Sequence, residues 1–169
     1  MSAPTSALAA RAWEILAGVA DPEIPAVSVV DLGIVREVHA EGGVLEVTVT
    51  PTYSGCPATQ VIEASIRRAL ADAGLDATVR TSLAPAWTTD WMTAAGREKL
   101  ARFGIAPPGT RAADAPVPMR YVRTAPAAIA CPHCGAGDTE RLAEFGSTAC
   151  KALYRCRVCR EPFDYFKPI

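Results

Sequence analysis

Four of the six cysteines stand in two pairs near one end of the chain, Cys131-Pro132-His133-Cys134 and Cys156-Arg157-Val158-Cys159, with 21 residues between them. A C-x2-C turn brings two sulfurs to one point, and two such turns close a tetrahedral S4 set that zinc or a single iron accepts. A segment as short as 127–169 rarely buries enough core to fold unaided, so the pairs predict a metal-stapled β-ribbon there. Gly135, directly after Cys134, supplies the positive φ such a turn favours; the second pair keeps the spacing but lacks the glycine. Four sulfurs leave no open position, so the site is structural. Zinc is the expected ion, and iron in a rubredoxin-like electron-transfer role is the alternative. His133 and Cys150 are expected to lie outside the ligand set.

The rest of the chain reads as an α+β domain over 1–106. Leu8, Ala12, Ile15, Leu16 and Val19 share one face of a helix over 5–19, which Asp21-Pro22-Glu23-Ile24-Pro25 stops. A strand is expected from Val29 to Ala40, then a Glu41-Gly42-Gly43 turn, then a strand whose Leu45, Val47 and Val49 face one way. A helix over 58–73 ends at Gly74, a strand follows over 77–83, and a third helix runs from Thr89 or Asp90 through Arg102. The order α-β-β-α-β-α describes a small sandwich of helices on one sheet. Residues 107–126 hold six prolines and glycines with few large apolar side chains, and read as an extended linker to the ribbon of 127–169.

Charge narrows the function classes. Residues 1–106 carry 8 Lys+Arg against 12 Asp+Glu, and 127–169 carry 6 against 5. A nucleic-acid reader concentrates positive charge on one face, so no nucleic-acid partner is expected. No apolar run approaches the ~20 residues that span a bilayer, so no membrane partner is expected either. The first residues lack a basic stretch followed by an apolar block. The expected location is therefore cytoplasmic, where thiols stay reduced and paired cysteines bind metal.

Cys56 stands apart from the other cysteines. It sits where a strand meets a helix, after Ser54-Gly55 and with Pro57 at the expected first helical position. A thiol placed there faces unsatisfied N–H groups, which lowers its pKa and suits it to attack an electrophile or bind soft metal. The plainer alternative is a small apolar residue filling a helix start. A nucleophilic enzyme needs an aligned base, and His39, the one histidine outside the ribbon, lies at the far end of the first hairpin strand. Asp21, Glu23 and Asp31 are better placed to meet a cation held near Cys56, although Asp-Pro pairs more often form turns.

Residues 21–36, Asp-Pro-Glu-Ile-Pro-Ala-Val-Ser-Val-Val-Asp-Leu-Gly-Ile-Val-Arg, followed by Pro51-Thr-Tyr-Ser-Gly-Cys56-Pro57, resemble the iron–sulfur assembly domain of SufT-like proteins. Adding Cys131-Pro-His-Cys-Gly and Phe145-Gly-Ser-Thr-Ala-Cys-Lys-Ala-Leu-Tyr-Arg-Cys156, the chain is similar to the PaaD family encoded with bacterial phenylacetyl-CoA epoxidases. Trp87-Thr-Thr-Asp-Trp91 also follows that family's pattern. The resemblance implies a non-catalytic accessory protein that helps assemble or insert iron or an iron–sulfur cluster during aerobic phenylacetate degradation. It implies partners among the di-iron oxygenase, the [2Fe–2S] reductase or the cluster-assembly machinery. Cys56 matches the cysteine tied to maturation, with Asp21, Glu23 and Asp31 in matching positions, while Cys131, Cys134, Cys156 and Cys159 remain the expected ligands of the structural metal.

Overall fold

The computed structural model describes residues 3–109 and 129–169, with side chains from residue 7 onward. Two compact units emerge, residues 1–100 with Ile169, and residues 101–168. Most of the linker expected over 107–126 lies outside the described residues. Among the described residues, no helix is long and apolar enough to cross a membrane.

The first unit follows the expected order. Helix α1 (Ala3–Leu16) is followed by β1 (Val35–Glu41), β2 (Val44–Val49), α2 (Thr59–Asp72), β3 (Ala77–Thr81) and α3 (Ala94–Arg102). Strands β1 and β2 form an antiparallel hairpin whose two-residue turn puts both Gly42 (φ 59°) and Gly43 (φ 86°) in the left-handed region. Helix α2 then crosses over, and β3 pairs parallel to β2, leaving β2 central. Leu45, Val47 and Val49 are buried on β2, Val79 on β3, and Ile62, Ile66 and Leu70 line the inward face of α2. Ala12 and Leu16 of α1 complete this core, and Arg11 donates to the Ala73 carbonyl, tying α1 to the end of α2. Gly74 (φ 74°) closes α2, with the Leu75 N–H returning to the Leu70 carbonyl.

Helix α1 ends at Leu16 rather than 19 and β3 at Thr81 rather than 83, and two further boundaries differ from the expectation for a clear local reason. The β-branched run at Val29 does not start a strand. The Ser28 N–H donates to the Asp31 carboxylate while the Asp31 N–H donates to the Ser28 hydroxyl, and Gly33 turns the chain at φ 67°. Val29 fills the core from this turn, and β1 begins only at Val35. The third helix is likewise interrupted. Thr88 caps a 3-10 turn over Thr89–Trp91, Met92 is extended, and the Thr93 hydroxyl accepts from the Gly96 N–H to start α3 afresh.

The Trp87–Trp91 segment is a clamp on the 28–34 turn. The Trp87 indole N–H donates to the Leu32 carbonyl, and the Thr93 N–H donates to the Asp31 carbonyl. Gly33 and Gly96 permit this approach. A Cβ on Gly33 would lie 2.3 Å from the Trp91 carbonyl oxygen, and one on Gly96 would lie 2.6 Å from that of Asp31.

The second unit is a four-stranded sheet in the order β4-β7-β6-β5, built from β4 (Ile105–Ala106), β5 (Thr139–Ala143), β6 (Lys151–Cys156) and β7 (Pro162–Phe166). Strands β5, β6 and β7 run antiparallel to one another in that order, and β4 runs parallel to β7. Ile105 and Ala106, read from the sequence as the end of the first domain, thus pair within the ribbon's sheet. Ala106, Cys131, Cys156 and Phe163 form the small core, with Tyr154 stacked on Phe163 at 5.9 Å and edge-on to Tyr165. Lys151 is buried beside Asp164 at 3.3 Å, which accounts for the one charged side chain fully inside the ribbon among the described residues.

Candidate functional site

The two cysteine turns are built alike. The Cys131 N–H donates to the Ala136 carbonyl, and the Cys156 N–H donates to the Glu161 carbonyl, five residues on in both cases. Gly135 takes φ 75° after the first pair, and Arg160 takes φ 67° at the equivalent place after the second. The missing glycine is therefore replaced by strain rather than by a different turn. Because a side chain in that region costs roughly 1 kcal/mol, Arg160→Gly should raise stability by about that amount, seen as a higher thermal midpoint of the metal-loaded protein.

The sulfurs of Cys131, Cys134, Cys156 and Cys159 all lie within 4.8 Å of one another. Cys131 is 3.7 Å from Cys159, and Cys134 is 3.6 Å from Cys156. Four sulfurs at about 2.3 Å from one ion stand about 3.8 Å apart, so the set fits a tetrahedral zinc. Backbone N–H groups at Cys159 and Val158 bring the Cys156 thiol down to about 7. The Cys159 thiol accepts an N–H bond from Glu161, yet burial and the three neighbouring sulfurs push it up to about 12. Four crowded thiols resist joint ionisation, and a divalent cation removes that resistance. Cys150 lies outside the set, with the Thr148 hydroxyl 3.1 Å from its sulfur, and His133 contributes no ligand to it.

Cys56 is half-buried on the loop between β2 and α2. Helix α2 starts at Thr59, with Ala58 as its cap, so Pro57 precedes the helix instead of opening it. The Cys56 carbonyl accepts from both the N–H and the hydroxyl of Thr59, and the Cys56 N–H donates to the Tyr53 carbonyl. This geometry overturns the expected low thiol pKa. Burial pushes the Cys56 thiol up, an N–H bond from Ala58 only partly offsets this, and the negative charges of Glu23 and Asp21 push it further. The structure thus brings Glu23 and Asp21 within electrostatic reach of Cys56. The Asp21 carboxylate accepts from the Glu23 and Ile24 N–H groups at 2.9 and 2.8 Å, which shapes the turn carrying Glu23.

Asp31 is used differently. Lys99 donates to its carboxylate at 2.6 Å, and the Ser28 N–H and Thr93 hydroxyl lie at 2.9 and 3.5 Å. Burial opposes ionisation, but the Lys99 and Ser28 contacts hold the carboxylate below its usual range. Asp31 is committed to its turn and to α3. Its sequence position carried no sign of Lys99, which becomes a neighbour only through the fold.

A three-stranded α+β domain with one half-buried loop cysteine, joined to a β-sheet unit gathering four thiols, defines a cluster-assembly-type domain coupled to a zinc ribbon. Residues 9–81 match the model described as "Iron-sulfur cluster assembly protein", and residues 115–167 match the "PaaD zinc beta ribbon domain". The chain is 48% identical over 158 residues to an Escherichia coli (strain K12) protein named as one of the subunits of a "Putative 1,2-phenylacetyl-CoA epoxidase", covering 93% of this chain and 91% of that one. It is 37% identical over 86 residues to the Bacillus subtilis (strain 168) "Fe-S protein maturation auxiliary factor YitW", covering 50% of this chain and 78% of that one. The crystal structure of a DUF59 domain from Bacillus anthracis superposes with a TM-score of 0.56 at 25% identity, covering 59% of this chain and 97% of that one. The chain belongs to the PaaD family.

Proposed function

We propose that this chain is an accessory maturation factor for a phenylacetyl-CoA epoxidase, helping to assemble or insert iron or an iron–sulfur cluster into that complex. In this reading the protein turns over no substrate itself. Its partners are the di-iron oxygenase, the [2Fe–2S] reductase or the machinery that supplies clusters, and the place of work is the cytoplasm. Similarity to a protein named as an epoxidase component, and to one named as a maturation auxiliary factor, supports the setting.

The observation that carries the mechanism is the half-buried Cys56 thiol under the charges of Glu23 and Asp21. The carboxylates attract a cation and at the same time keep the sulfur protonated while none is present. Arrival of the cargo displaces the thiol proton, so capture strengthens as pH rises and is lost as pH falls. One thiolate with oxygen donors leaves the cargo incompletely bound, which favours hand-over above storage. Cys131, Cys134, Cys156 and Cys159 hold a structural zinc that fixes the ribbon. Asp31 serves by shaping the 28–34 turn.

Co-expression tests the proposal. Cys56→Ser should lower the iron content and the activity of the co-expressed epoxidase together, by tenfold or more if no other route loads the metal. Glu23→Gln should give a smaller loss of the same kind. Unchanged iron and activity with Cys56→Ser remove the residue from the mechanism.

A further inference from the structure

Arg36 opens the second chemistry of the first unit. Its guanidinium carbon stands 3.4 Å from the centre of the Trp91 ring, a face-on cation–π contact. Among the described residues its side chain makes no hydrogen bond, so the donors along the guanidinium edge are uncommitted. Arg36 lines a cleft of about 200 Å³ together with Glu37, Thr48, Thr50 and Ser82. Thr48 is half-buried in the lining, and Thr50 beside it is only 2% exposed. The Ser82 hydroxyl donates to the Ala84 carbonyl and keeps its oxygen free to accept. Glu37 sits with His39 at 3.2 Å.

We infer that this cleft is a carboxylate-binding site, with Arg36, held flat by Trp91, pairing with the anion and the Thr48 and Thr50 hydroxyls donating to it. The planar fork of arginine matches a carboxylate through two parallel N–H bonds. Stacking removes the rotamer freedom that such a pair otherwise loses on binding. Glu37 in the same lining leaves one positive and one negative charge around the cleft, which admits a monoanion and disfavours doubly charged phosphate. Partial burial of Arg36 strengthens the pairing by thinning its water shell. The site also gives Trp91, the last residue of the Trp87–Trp91 motif, a chemical task. It does not depend on Cys56.

The carboxylate is either the side chain of an acidic segment on a partner protein or a free small acid, and one experiment separates them. The 15N-labelled whole chain is titrated with sodium acetate, with acetyl-Gly-Glu-Gly-amide, with the Gln counterpart of that peptide, and with inorganic phosphate. Ionic strength is held constant and the backbone amide signals of residues 36, 48 and 50, present in every variant, are followed together with the Arg36 Nε–H signal of the unaltered chain. Saturable shifts with acetate and the Glu peptide, absent with the Gln peptide and weaker with phosphate, support the site. Tighter binding of the peptide than of acetate assigns a protein segment; the reverse assigns a free acid. Arg36→Gln should weaken carboxylate binding at least about tenfold, and Arg36→Lys less. Thr50→Val, which keeps the side-chain shape, should weaken it severalfold and guards against misfolding of the Arg36 variants. No saturable response to either carboxylate, or an equal response in Arg36→Gln, overturns the proposal.

Discussion

Replacing Cys156 with serine, or stripping the metal with a strong chelator, is expected to unfold the second unit outright. Cys156 is fully buried, shares the small core with Ala106, Cys131 and Phe163, and supplies one of four converging sulfurs. Structural zinc contributes about 10–16 kcal/mol of apparent binding energy in isolated fingers, far more than a core of this size supplies. The measurement is native mass spectrometry for bound zinc, with amide NMR dispersion for the residues of β5, β6 and β7. Cys150→Ser is the matched control: Cys150 is also buried, but its neighbour is the Thr148 hydroxyl, and zinc should stay bound. A red protein holding iron in the four-sulfur site would reassign the ribbon to electron transfer. A folded, metal-free Cys156→Ser ribbon would refute the stapling argument.

Gly33→Ala should be the most damaging single methyl group in the first unit. The added carbon would meet the Trp91 carbonyl oxygen at 2.3 Å, a contact with backbone that no rotamer change relieves, at a φ of 67°. Strained φ and overpacking together cost about 3–5 kcal/mol, a large share of the stability of a domain this size. Gly43→Ala offers the comparison. Its φ is 86°, yet nothing lies within 4 Å of the new carbon, so only the conformational cost of about 1–2 kcal/mol remains. Urea unfolding followed by tryptophan fluorescence gives both values. Equal losses in the two variants would show that the clamp over the 28–34 turn contributes little.

The sequence made the metal set legible because a C-x2-C pair carries its geometry within four residues. The order of helices and strands was legible for a related reason: the stripes of α2 and the alternation of β2 report burial directly. What stayed hidden depends on residues distant in the chain. The ionisation of Cys56 was inferred from its place at a helix start, whereas in the fold burial, and after it the charges of Glu23 and Asp21, push the thiol up. The Lys99 contact to Asp31, a candidate cation ligand by sequence, comes from α3 and has no local signature. The Trp87–Trp91 motif had no readable purpose, since its contacts go to the Leu32 carbonyl and the Arg36 side chain, neither of which has a local signature. Thr93 could have been found: a threonine three residues ahead of a glycine that donates to it is a cap signal, masked here by the stronger-looking Thr89.

The pairing of Ile105 and Ala106 with Asp164 and Tyr165 bears on how the ribbon can be excised. A fragment cut at residue 127 would strip β7 of the strand covering its outer margin and bare unsatisfied amides and carbonyls to neighbouring molecules. Such a piece, though it kept every sulfur, would tend to self-associate. Cutting ahead of residue 101 preserves the cover, and that longer piece should self-associate less than the shorter one, which light scattering of the two measures.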